Sequence, residues 1–228
     1  MMSAVTTRRR RGWEQRLLAA MAYPANLALG GVAAFLLALP LVTAVPAVIA
    51  LGRAYGTWLR EGDDAVFTGT FTEFARTWRR TLPLGVVGAV AAAVLIVNAQ
   101  FLLARLQAGP DPFALVLVPA TVVVGSAILL LLLGLPVAAA RSRDAGPKRW
   151  LVEAGYLVAR RPVRALALLL IVAAFAFTCG LLPTIVPFLG LSVPVYLAHV
   201  SLGHGDRTGV TDGAGTPDAP DGEARRPR

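Results

Sequence analysis

The side chains able to do chemistry in this sequence are few and far apart. His199 and His204 are the only histidines, and a spacing of five does not place them on one helical face. Neither has a cysteine or a carboxylate cluster beside it, and a metal site needs several convergent ligands. They read as an interfacial and a tail histidine. The single cysteine, Cys179, lies in an apolar run, so a disulfide framework is excluded within one chain. There is no Gly-rich phosphate loop and no nucleophile elbow. No catalytic, cofactor-binding or metal-ligating residue is assigned, and the chain reads as a non-enzyme.

The remaining polar candidates sit inside apolar runs. Asn26, Asn98 and Gln100 are the intramembrane amides, and such amides bond neighbouring helices more often than they bind a solute. No Asp or Glu lies deep in an apolar run, where ion-coupled transport usually needs one. Arg53 stands near the end of a run and is expected to snorkel toward water.

The elements that must carry these groups are hydrophobic. Apolar residues make up 56% of the 228 positions and charged residues only 15%, against about 25% charged in an ordinary soluble chain. That leaves too little polar surface to wrap the apolar mass in water, so lipid must solvate part of it. The net charge is +9, but the basic residues sit in clusters between apolar runs rather than on one face. This layout argues for flanks of membrane spans and against nucleic-acid binding.

Residues 1–16 form a basic N-terminus, 17–203 a transmembrane helical domain, and 204–228 a polar tail that cannot bury apolar surface and is expected to be disordered. The N-terminal apolar run is longer than a signal-peptide core and reads as an uncleaved segment. Pro40 and Pro46 break residues 17–59, which read as one very long kinked segment or, more economically, as a helical hairpin. Four further spans follow: Leu82–Leu103, Phe113–Ala140, Val163–Leu182 and a last one ending near Leu202. The expected fold is therefore an all-α, polytopic transmembrane helix bundle of about six membrane helices, with interfacial amphipathic helices.

Two segments supply those amphipathic helices. Phe67, Phe71, Phe74 and Trp78 recur at helical spacing, with Glu73, Arg76, Arg79 and Arg80 off that stripe. Aromatics on one face and Arg on the other suit a helix lying in the interface or packed on the bundle. Asp63 and Asp64 suit its N-cap. Trp150–Ala159 reads as a second short amphipathic helix.

Residues 39–85 resemble the YesL-like family of uncharacterised bacterial membrane proteins, a domain of unknown function. Leu39, Pro40, Thr43, Pro46 and Ala47 fit that family's first motif, with Val45 where it has Gly. Trp58, Arg60, Glu61, Gly62 and Asp63 fit the second, with Glu and Gly inverted, and Phe67, Phe71 and Phe74 fit the third. The resemblance is good over residues 24–103; beyond them it is a shared layout of apolar segments around one basic loop. It implies an inner-membrane protein encoded beside carbohydrate-uptake transporters, and it carries over no ligand or catalytic residue.

Two functions fit these readings. One is a non-catalytic accessory or scaffold protein associated with carbohydrate uptake, whose partners are the lipid bilayer and membrane subunits of a sugar transporter. The alternative is a small-solute permease or channel. If the first two helices form a hairpin, every Lys and Arg except Arg105 falls on one side. The positive-inside rule then places both termini in the cytoplasm. No cofactor is expected, and the oligomeric state stays open.

Overall fold

A computed structural model describes residues 21, 23–62, 65–109 and 112–203. The basic N-terminus, the polar tail, His204, Asp63 and Asp64 lie outside the described residues. Within them the chain is helical, with no strand. The helices are α1 (Tyr23–Ala38), α2 (Ala44–Glu61), α3 (Val66–Ala108), α4 (Pro112–Arg141), α5 (Pro147–Arg160), α6 (Pro162–Leu181), α7 (Val186–Leu189) and α8 (Ser192–Gly203).

The prolines at 40 and 46 do break the first apolar run. A single 3-10 turn, Leu41–Thr43, joins α1 to α2. Thr43 Oγ1 donates to the carbonyls of Leu37 and Pro40 at 2.5 and 2.7 Å. This satisfies main-chain acceptors that the broken helix frees, as an apolar environment demands. The two helices run back antiparallel: Gly30 faces Leu51 and Tyr55, and Tyr23 stacks on Trp58 at 4.7 Å.

The α1–α2 turn meets α3 only part-way along. Val42 and Pro46 lie against Gly85, where an added Cβ would fall 2.0 Å from the Val42 carbonyl oxygen. From Gly85 to the end of α3 there remain about 35 Å of helix at 1.5 Å per residue. Leu39 and Leu41 at the turn are 65% and 62% exposed.

α2 is the central helix, packed on α3, α4 and α8 as well as α1. Small residues permit the approach: a Cβ on Gly52 would strike Pro136, and one on Gly56 would strike Ala140.

α3 differs from expectation. The aromatic segment and the following span are one unbroken helix of 43 residues with Pro83 inside. It is about 65 Å long, twice the thickness of a bilayer's hydrocarbon core. Ala65 stands at its N-cap position and makes no side-chain cap, while the aspartates expected to cap it lie outside the described residues. The expected short helix at Trp150 is present as α5, with Trp150, Ala154 and Leu157 buried against the bundle.

Three helices are long and apolar enough to cross a membrane: α3, α4 and α6. The 183–189 and 192–203 helices, bent by 52°, make a fourth when counted as one span. The chain is thus a membrane protein with three such helices, or four with the bent pair, among the described residues. Of the six helices expected from sequence, α1 and α2 are not among these: the described part of α1 is residues 23–38, most of residues 17–22 lying outside the described residues, and α2 carries Arg53, Arg60 and Glu61.

Candidate functional site

The basic ends of the helices meet in one polar network. Arg53, on the last two turns of α2, does not snorkel. It turns inward, and its Nε lies 2.6 Å from Glu73 Oε2 on α3, with each side chain only 9% exposed. Burying either charge alone would cost several kcal/mol. Arg53 Nη1 also donates to the main-chain carbonyl of Arg143 at 3.1 Å, and the guanidinium lies 5.9 Å from the Trp150 ring. Arg143 returns the contact by donating to Thr57 Oγ1.

The α4–α5 loop continues the network. Ser142 Oγ donates to Glu153 Oε2 at 2.7 Å, and Trp150 Nε1 donates to the Ser142 carbonyl at 2.7 Å. Arg60 donates to the Ala140 carbonyl at 3.2 Å. Arg141 reaches the carbonyls of Leu202 and Gly203 at 3.2 and 3.0 Å, closing the end of α8. Arg at a helix C-terminus complements its partial negative charge.

The aromatic stripe of α3 faces outward. Between residues 66 and 81 the buried positions of α3 are Val66, Thr70, Glu73, Thr77 and Thr81, one helical face that is polar after Val66. Each of these Thr hydroxyls donates to the carbonyl four residues back, at 2.7 to 3.0 Å. Phe67, Phe71 and Phe74 are half-buried, Phe67 and Phe71 pack edge to face at 5.2 Å, and Trp78 is exposed beneath Arg79. The segment is not a separate helix, and its three Phe rings are partly rather than fully buried.

The motif positions separate to opposite ends of α2. Leu39, Pro40 and Thr43 make the turn, and Pro46 seats it on Gly85. Trp58 is buried in an aromatic group with Tyr23, Tyr55 and Tyr196. Of the intramembrane amides, Asn98 donates to Thr121 Oγ1 at 2.8 Å and ties α3 to α4. Asn26 is buried and Gln100 exposed.

His199 is buried in α8, with Nδ1 3.0 Å from the Val195 carbonyl. Cys179 is a free thiol on the wall of an apolar cavity of about 660 Å³ between α1, α2, α4, α6 and α8. No cluster of three His, Cys, Asp or Glu able to hold a metal occurs among the described residues.

Helices of this length and apolarity, tied at one end by a buried ion pair, define a polytopic α-helical membrane protein. No family model, curated protein or solved structure matches the chain.

Proposed function

We propose that this chain is a non-catalytic accessory or scaffold protein of the bacterial inner membrane, associated with carbohydrate uptake, with its basic end in the cytoplasm. The observation that carries the reading is the hairpin made by the second half of α3 and the first half of α4. The most apolar 18-residue stretch of α4 buries nothing within the chain, and that of α3 only 6%. Apolar helix surface this extensive, held in register by the Asn98–Thr121 bond, suits lateral packing against partner helices and lipid. The link to carbohydrate uptake rests on the motif residues between Leu39 and Phe74.

The polar groups that are buried support the same reading, because they are spent on one another. Arg53 joins Glu73 across α2 and α3, Arg143 joins Thr57, and Ser142 joins Glu153. The alternative, a small-solute permease, draws on the 660 Å³ cavity. Its wall is apolar apart from the Cys179 thiol, which suits hydrocarbon better than a sugar.

Two measurements test the proposal together. The tagged full chain captured from native membranes should bring down membrane subunits of a sugar transporter, and Ala93→Phe on the exposed hairpin should weaken that capture. The purified chain in liposomes should move no sugar and leak no ions above empty vesicles. Robust solute flux by the protein alone would sink the accessory reading and promote the permease.

A further inference from the structure

A crevice of about 340 Å³ opens between the end of α2, the first turns of α3 and the α4–α5 loop. Thr57, Thr68, Thr72, Glu73, Arg76 and Arg143 line it. Its one described carboxylate is already matched: Glu73 holds Arg53 at 2.6 Å and Arg76 at 3.8 Å. Two guanidiniums thus share one carboxylate, and Arg143 stands in the same wall as a third.

Arg143 carries the unmet charge. Its Nη2 donates to the neutral hydroxyl of Thr57, its Nε is buried without an acceptor, and among the described residues it pairs with no carboxylate. The threonine hydroxyls give their protons to main-chain carbonyls, Thr57 to Arg53, Thr68 to Ala65 and Thr72 to Thr68. They add no charge to the wall. Arg76 has a side chain 69% exposed and stands at the mouth, able to close over a ligand. Paired guanidiniums with free donor capacity recognise oxyanions, phosphate above all.

The position of the crevice narrows the source. It lies at the end of the bundle where α2, the first half of α3, α4, α5 and α6 place their arginines. There Arg79 stacks on Trp78 and Arg160 on Tyr156. Aromatic and basic residues together mark the level of lipid headgroups, and basic pockets between helices there take anionic heads.

We propose that this crevice binds the phosphate of an anionic phospholipid headgroup, with Arg143 and Arg76 as the two groups that hold it. The inference goes beyond the accessory role and does not depend on it, since the occupant is a lipid phosphate rather than a protein.

The test uses the full chain in nanodiscs of phosphatidylcholine alone or with phosphatidylglycerol, and measures retained lipid by native mass spectrometry together with thermal stability. Phosphatidylglycerol should be retained and should raise the unfolding temperature. Arg143→Gln and Arg76→Gln should each weaken retention about tenfold, the effect of losing one charge-assisted hydrogen bond. Arg80→Gln, an exposed arginine away from the crevice, should leave it unchanged. Arg76→Gln guards against misfolding, because that side chain is largely in solvent.

Inorganic phosphate in detergent is the second arm. Stabilisation by phosphate as strong as that by phosphatidylglycerol would overturn the lipid source and leave a soluble phosphate ligand. Asp63 and Asp64 adjoin this wall in sequence, and Asp63→Asn with Asp64→Asn should strengthen retention or leave it unchanged. Loss of retention in that variant, or equal retention in the Arg80 and Arg143 variants, would overturn the proposal.

Discussion

Arg53 and Glu73, twenty residues apart in sequence, meet at 2.6 Å with nine-tenths of each side chain out of solvent. The contact fixes α2 against α3 and, through the Arg143 carbonyl, against the α4–α5 loop.

Removing one partner should therefore be much worse than removing both. Glu73→Gln leaves the Arg53 charge buried with no anion to meet it, and should destabilise the protein by about 3–5 kcal/mol. Arg53→Met with Glu73→Leu should recover most of that loss. Thermal unfolding of the purified proteins in detergent checks the pair. A double variant no more stable than Glu73→Gln would show that the ion pair itself, rather than the avoidance of a lone charge, stabilises this end.

Glycines should divide sharply by position. A Cβ at Gly85 would meet the Val42 carbonyl oxygen at 2.0 Å, and one at Gly31 the Phe188 carbonyl oxygen at 1.7 Å. Both oxygens belong to main chain and cannot move aside cheaply. Gly85→Ala and Gly31→Ala should each cost about 1–3 kcal/mol, the usual penalty of overpacking. Gly155, on α5, has nothing within 4 Å of its Cβ position. Gly155→Ala should be neutral or stabilise by up to about 1 kcal/mol.

The amide between the two longest helices should contribute modestly. Asn98→Leu removes the 2.8 Å bond to Thr121 and should cost about 0.6–1.7 kcal/mol, the range for interhelical hydrogen bonds in membranes. An Asn98→Leu protein as stable as the parent would mean that lipid-facing packing alone holds the hairpin.

Accessibility should follow the axial positions. With Cys179 replaced by Ser, a cysteine at Gly146 and one at Gln107 should react with an impermeant thiol reagent from opposite sides. A cysteine at Leu41 should react from neither, because the α1–α2 turn stops part-way along α3. Labelling of Leu41→Cys from the Gln107 side would show that the hairpin crosses fully.

Much of this architecture is legible in the residues. Pro40 and Pro46 announce the hairpin turn, the run from Val163 locates α6 within a residue of its observed start, and the Trp150 region declares α5. What was hidden is hidden for physical reasons. The run of α3 changes from one apolar stripe to apolar all round near Leu82, and Pro83 looks like a helix start. The helix nevertheless continues through it. The stripe of Phe67, Phe71 and Phe74 shows that a face exists but not which medium it meets. In a membrane protein the ring face can meet lipid while threonines turn inward.

Arg53 reads as a snorkelling residue because its partner is not within reach along the chain. The spacing of Thr70, Glu73, Thr77 and Thr81 on one helical face held that signal, since a polar stripe carrying one carboxylate asks for a buried cation. The contribution of Ser142 and Arg143 depends on the loop's path and has no counterpart in local sequence.

Pro83 gives the Gly85 contact a mechanical meaning. A proline inside a helix withholds the amide that would bond the carbonyl four residues earlier, here that of Arg79. Bending is easiest at such a point. The same stretch of α3 is where the α1–α2 turn touches it, through Val42 and Pro46. α3 is thus articulated at the place where it is gripped: one arm is clamped to the basic end by Glu73, and the other carries Asn98 and the lipid-facing hairpin. Tilting of the distal arm turns about this joint without breaking the Arg53–Glu73 clamp.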